Sequence, residues 1–154
     1  MIVKMALDIL NDGEILEIML NQDQLKVLQT VVNIIIPADD DPGGWDGGVG
    51  DYLLHQFEGD LQYVLATYEQ GLIALDTEAK TVTGKTLAEL DPPAQEAFMT
   101  TIEQGQVQTT WPVDPAAFFD MLVQHCAEGF YSDPSNYGNH DRAAWKMMGF
   151  EVTR

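Results

Sequence analysis

Three features of the sequence predict an all-α domain. Apolar residues recur at helical spacing in several separate segments. A capping acid followed by proline marks a helix start twice, at Asp91-Pro92-Pro93 and at Asp114-Pro115. Strand signals are weak: Val107 to Trp111 alternates a little, and no partner strand is evident. The expected architecture is one small, irregular helical domain over 1–154. It has about five helices, long ordered loops and an aromatic C-terminal tail. Residues 1–20 read as an arm or short helix, 21–129 as the helical body and 130–154 as the tail.

The first helix begins at Asn21, a good N-cap residue, and puts Leu25, Leu28, Val31, Val32, Ile35 and Ile36 on one stripe. It ends before Pro37, because the residue preceding a proline is pushed out of the helical region. Residues 37–48, dense in Gly, Pro and Asp, form a loop with one large apolar ring, Trp45. A second helix is expected over Val49 to Glu58, with Tyr52, Leu53, Gln56 and Phe57 at helical spacing. A third carries Leu61, Val64, Leu65, Tyr68, Leu72 and Leu75 and runs to about Ala79. Residues 81–90 connect, with room for one turn around Leu87. The fourth helix, from Asp91, places Ala94, Ala97, Phe98 and Ile102 inward and stops at Gly105. The fifth, from Asp114, places Phe118, Phe119, Leu122, His125 and Cys126 inward, with Gly129 as its stop. The tail shows helical patterning only in a short turn over Ala143–Met148.

Composition narrows the function. The chain has 154 residues, 45% of them hydrophobic, and a net charge of −18. That is enough sequence for one core. So acidic a chain repels phosphate backbones and anionic lipid surfaces, which argues against nucleic-acid binding. The excess is lopsided, −12 over residues 1–77 and −6 over 78–154. The single cysteine, Cys126, excludes an internal disulfide and a cysteine-rich metal site made by this chain alone. No segment approaches the ~18 apolar residues of a spanning helix, so no membrane insertion is expected. The N-terminus has no secretory or twin-arginine pattern. Cytoplasmic residence is therefore the expectation if Met1 is the true start.

Residues capable of chemistry are present, but in poor arrangements. Asp39, Asp40, Asp41 and Asp46 offer hard oxygen ligands, yet lack the alternating spacing and distal Glu of a calcium loop. His55-x-x-Glu58 and His125-x-x-Glu128 each put imidazole and carboxylate on one helix face. The di-iron bundles use the opposite order and two further glutamates. A stand-alone metal-binding helical domain, built on these pairs or on the aspartate loop, is the alternative reading. Cys126 cannot pair with the adjacent His125, because neighbouring helix positions diverge by about 100°. No nucleophile elbow and no phosphate-binding glycine loop is present. The residues thus point to no enzyme acting alone and to no cofactor bound by this chain.

The tail is the most informative segment. Residues 128–150 combine Phe130, Tyr131, Tyr137, Trp145 and Phe150 with two methionines. Disordered tails are poor in aromatics, so this one is expected to be ordered. Tyr, Trp, Met and Arg are also what protein interfaces favour.

The run Glu128-Gly-Phe-Tyr-Ser-Asp-Pro134, followed by Tyr137-Gly-Asn139, Asp141, Trp145-Lys146 and Gly149-Phe150, resembles the C-terminal signature of the gluconate 2-dehydrogenase subunit 3 family. Ile36-Pro-Ala-Asp-Asp40 with Gly43-Gly-Trp-Asp46 resembles its N-terminal signature, and Leu87-x-x-Leu90 matches the middle loosely. The resemblance spans about Leu20 to Phe150. It implies a small, non-catalytic subunit of an oxidoreductase complex. The implied partner is a large FAD-containing flavoprotein of the glucose–methanol–choline type, a sugar or sugar-acid dehydrogenase, which often passes electrons to a c-type cytochrome. The small subunit would support the folding, stability and export of the large one. Members usually carry a twin-arginine signal, so periplasmic residence is the alternative to the cytoplasm. The family's paired glycine before the Asn is absent here, and His140 is not matched by motif. The expected partner interface is Trp45, Phe130, Tyr131, Tyr137, Trp145 and Phe150 as anchors, together with Asn139, with Asp133 and Asp141 fixing the turns and Lys146 pairing with an acid on either chain.

Overall fold

The structure, a computed structural model, describes residues 19–150. The expected N-terminal arm lies outside the described residues, apart from Met19 and Leu20. Among the described residues the chain is all-helical. Its helices are α1 (Gln22–Ile35), α2 (Val49–Phe57), α3 (Leu65–Thr83), α4 (Pro92–Glu103), α5 (Pro115–Tyr131) and α6 (Ala143–Met148).

Local chemistry sets the starts. Asn21 Oδ1 accepts the Gln24 N–H and Gln24 Oε1 accepts the Asn21 N–H, both at 2.8 Å, a reciprocal cap on α1. Asp91 Oδ1 accepts the Ala94 N–H at 2.9 Å, and Asp114 Oδ1 the Ala117 N–H at 2.8 Å. These two caps, each followed by proline, begin α4 and α5.

Helix α5 touches all five of the others and forms the centre of the fold. Its Phe118, Leu122, Cys126 and Phe130 meet Leu28, Val31 and Val32 of α1, Leu53 and Phe57 of α2, Tyr68, Leu72 and Leu75 of α3, and Ile102 of α4. All are buried. Inside this core the Tyr68 hydroxyl and His125 Nδ1 share a hydrogen bond of 2.8 Å. Burial pushes the His125 pKa down and the Tyr68 pKa well up, so both stay neutral. The Cys126 thiol, buried beside them, is pushed up to about 12 by desolvation.

Several boundaries differ from expectation, each for a local reason. Helix α5 runs through Gly129 to Tyr131 instead of stopping. The place of a Cβ at Gly129 is taken by the Tyr52 ring, whose nearest atom would lie 2.8 Å away. The glycine therefore serves helix packing, and Phe130 and Tyr131 belong to the helix, not to the tail. Helix α3 starts later, after a 3₁₀ turn over Gln62–Val64, and extends to Thr83, where Gly84 closes it in the left-handed region at φ 76°. On α4 the inward residue is Met99, while Ala97 is exposed. The turn expected around Leu87 is a 3₁₀ helix over Leu87–Glu89.

Residues 107–111 make no strand; a buried carboxylate fixes them. Glu78 of α3 is almost fully enclosed. Its oxygens accept the backbone N–H groups of Gln108 (2.6 Å) and Thr109 (2.9 Å), the Thr109 hydroxyl, and Trp111 Nε1 (3.4 Å). Burial alone would raise the Glu78 pKa. The donors from Thr109, Gln108 and Trp111 outweigh it and hold the carboxyl below its ordinary value.

Candidate functional site

The two motif segments, residues 36–46 and 128–150, are folded against each other at one end of the bundle. The first is the glycine loop before α2. Gly44 N–H donates to Ile36 O at 2.8 Å and Gly47 N–H to Gly43 O at 2.8 Å, which turns the chain back over the end of α1. Trp45 is half-buried, its ring against the backbone of Gly50, where a Cβ would lie 2.9 Å from it. It also packs on Leu54 with Met19 and Leu25.

The second segment closes over this loop. The Phe130 ring occupies the space a Cβ would need at Gly47, at 2.5 Å, and the His140 ring the space at Gly48, at 2.6 Å. The His140 N–H donates to Gly47 O at 2.9 Å. The His140 Nε2 lies 2.9 Å from Asp51 Oδ2 and 3.0 Å from the Tyr137 carbonyl oxygen, so one ring nitrogen ties α2 to the tail. The His55 ring stacks on Tyr137, centroids 3.4 Å apart and planes 14° from parallel.

Asn139 is the knot of the tail and is wholly buried. Its N–H donates to Gly129 O (3.0 Å) and its Nδ2 to Ser132 O (2.9 Å), while its Oδ1 accepts the Ala144 N–H (2.9 Å). Its carbonyl oxygen accepts the Arg142 N–H (2.9 Å), so all four polar groups of Asn139 reach partners and the cost of burying an amide is met. Trp145 Nε1 donates to Tyr131 O at 2.9 Å and its ring meets Phe150 edge-on at 5.3 Å. Asp133 Oδ1 accepts the Ser135 N–H at 2.9 Å and shapes the turn before it.

The backbone here is strained. Tyr137, Asn139, Asp141 and Arg142 all have positive φ, between 46° and 71°. A non-glycine residue in this region costs about 1–2 kcal/mol, and such clusters persist only where the surroundings dictate them. The hydrogen bonds of Asn139 and His140 supply that constraint. A glycine pair in place of Tyr137-Gly138 would have carried less strain.

The predicted interface residues divide into two sets. Phe130 and Asn139 belong to the chain's own interior and have no surface to present. Trp45 and Trp145 are half-buried in their own loop and tail. Asp133, Asp141 and Lys146 are exposed. Tyr131, Tyr137 and Phe150 stand out from the surface, 41%, 52% and 55% exposed. Among the described residues Lys146 has no ion pair. Sequence reasoning missed His140 and Met148. Met148 is 54% exposed beside Phe150, and its signal was the methionine pair already visible in the tail. No pattern marks His140; its place follows from the hollow at Gly48.

The metal readings do not assemble. His55 is stacked on Tyr137 and His125 is bonded to Tyr68, each away from a ligand set. Glu128 accepts instead from the Tyr52 hydroxyl at 3.1 Å; burial, then this bond, raises the Tyr52 pKa to about 12. Asp39 Oδ1 caps the Asp41 N–H at 2.9 Å, a turn device. Among the described residues no group of three or more His, Cys, Asp or Glu side chains could hold a metal ion. Among them, too, no helix is long and apolar enough to cross a membrane.

The junction unites both segments that carry the family resemblance, and the sequence model described as Gluconate 2-dehydrogenase subunit 3 matches residues 22–151. The chain belongs to that family. No curated protein and no solved structure matches it. The match of this subunit 3 chain covers both motifs, the whole helical body between them and the tail to one residue beyond Phe150. As a member, it is a subunit of a dehydrogenase complex.

Proposed function

We propose that this chain is the non-catalytic small subunit of an FAD-dependent sugar or sugar-acid dehydrogenase, and that the loop–tail end is the face it presents to the large flavoprotein. The observation that carries the reading is an apolar surface held on a rigid base. Tyr131, Tyr137, Met148 and Phe150 are exposed, yet the backbone beneath them is fixed by Asn139, His140 and Trp145. Preorganised aromatic and methionine side chains are what interface hot spots use, since little entropy is lost on docking.

The FAD belongs to the large subunit. The one glycine-rich loop that precedes a helix is filled by the chain's own Phe130 and His140 rings. The contribution of this chain is to fold, stabilise and assemble the large subunit.

Co-expression tests it. The large flavoprotein made with this chain is expected to be soluble and flavin-loaded; made without it, the soluble flavin-loaded yield should fall several-fold. Equal yield and equal specific activity without this chain would overturn the assembly role.

A further inference from the structure

Exposed carboxylates flank the apolar tail at both ends of α2. Asp46 lies in the glycine loop, Glu58 and Asp60 follow α2, and Asp141 lies in the tail; all four are exposed. Asp60 lines the same cleft as His55, Asn136 and Tyr137, so its carboxylate is beside an exposed anchor. The sequence carries no Lys or Arg between Lys26 and Lys80, so the loop and α2 bring no cation of their own. Among the described residues none of these four carboxylates has a Lys or Arg within ion-pair distance. Of the two histidines here, His55 is stacked on Tyr137 and His140 is engaged with Asp51. Among the described residues of the tail, Arg142 is part of the strained turn, next to Asp141, and Lys146 follows in α6.

Resting on the subunit reading above, we propose that the large-subunit surface receiving this end is an apolar socket ringed by lysine or arginine side chains. The exposed Tyr131, Tyr137, Met148 and Phe150 enter the socket, and Asp46, Glu58 and Asp60 face the basic rim. A second copy of this chain is the wrong occupant. Two chains of net charge −18 would set carboxylates against carboxylates around the apolar patch, and like-charge juxtaposition is unfavourable by several kcal/mol. A nucleic acid is repelled for the same reason. Complementary rim charges steer encounter and are screened by salt, whereas an apolar socket is not.

The test is a competition for the large flavoprotein. Wild-type chain and the triple variant Asp46→Asn/Glu58→Gln/Asp60→Asn, carrying different tags, are co-expressed with the flavoprotein and exchanged in the intact complex at 0.1 M and 1 M NaCl. The variant's melting curve should match wild type, since these side chains are exposed. Wild type should be favoured about tenfold at 0.1 M salt, the sum of three modest rim interactions, and by less than about twofold at 1 M, where the Debye length is ~3 Å. Phe150→Ser should lose to wild type by a similar margin at both salts. Equal competition by the triple variant at 0.1 M, or its preference over wild type, would overturn the basic rim. So would a stable dimer of the chain alone that Phe150→Ser abolishes. If no flavoprotein retains either chain at either salt, the subunit reading itself has failed, a result distinct from a salt-independent complex.

Discussion

Substituting Gly138 by Ala tests the loop–tail lock directly. A Cβ at Gly138 would overlap the carbonyl oxygen of Gly129. Both are held by backbone, so neither can rotate away, and the tail must shift by about an ångström. Four hydrogen bonds depend on that position: Asn139 N–H to Gly129 O, Asn139 Nδ2 to Ser132 O, Ala144 N–H to Asn139 Oδ1, and His140 N–H to Gly47 O, all 2.9–3.0 Å. Lengthened by an ångström, none survives as a hydrogen bond. At ~1 kcal/mol each the loss is up to ~4 kcal/mol, enough to release the tail while the five-helix body stays folded. The assay is amide hydrogen exchange. Protection at Asn139, His140 and Ala144 should fall by up to ~1000-fold, with the α3 and α4 amides little changed. Gly149→Ala is the control: it too has positive φ (71°), but nothing lies within 4 Å of its Cβ. It should cost only ~1 kcal/mol of left-handed strain. Retained protection at His140 and Ala144 in Gly138→Ala would refute the proposed lock.

Four further outcomes follow from the geometry. Glu78→Gln should lower stability by ~2–3 kcal/mol at neutral pH, because an amide nitrogen would face donors that now meet a carboxylate. The folded Glu78 pKa is depressed, so its contribution is complete above the ordinary Glu value of ~4.3 and is lost as pH falls through the lower folded value. The gap between wild type and Glu78→Gln in denaturant titrations should therefore close in acid; relief of carboxylate repulsion acts on both proteins alike. Phe130→Ala should cost ~3–5 kcal/mol of thermal or denaturant stability, as expected for a fully buried ring. Trp145→Ala should weaken the complex by ~2 kcal/mol or more in a binding titration if the tail is the interface; unchanged association with a lower melting temperature would confine Trp145 to tail packing. The Cys126 thiol, buried with its pKa near 12, should be alkylated at pH 8 only at the rate of unfolding, measured by mass shift.

Much of the fold was legible because its signals are local. Asn21, Asp91 and Asp114 each satisfy their own helix start within three residues, and Pro92 and Pro115 follow two of them. α6 lies where the Ala143–Met148 pattern placed it. The errors concern residues whose roles are set from elsewhere in the chain. Gly129 reads as a helix stop on its own, but the Tyr52 ring fills its missing side chain and the helix continues. Glu78 reads as one acid among many until the 107–111 segment lays its N–H groups upon it. The candidate site was legible as two motifs, not as one place. Their contact depends on Phe130 and His140 entering hollows at Gly47 and Gly48, a shape match that no periodicity encodes. The same match explains why Phe130, chosen as a partner anchor, and Asn139, placed in the same interface, hold the chain's own structure.

The most direct measurement is to tag this chain in its native host, purify it gently, and record the visible spectrum and the subunit masses of what accompanies it. The account predicts a yellow complex in which the 17.1 kDa chain is stoichiometric with a much larger flavoprotein. A colourless, folded, monodisperse monomer would contradict it.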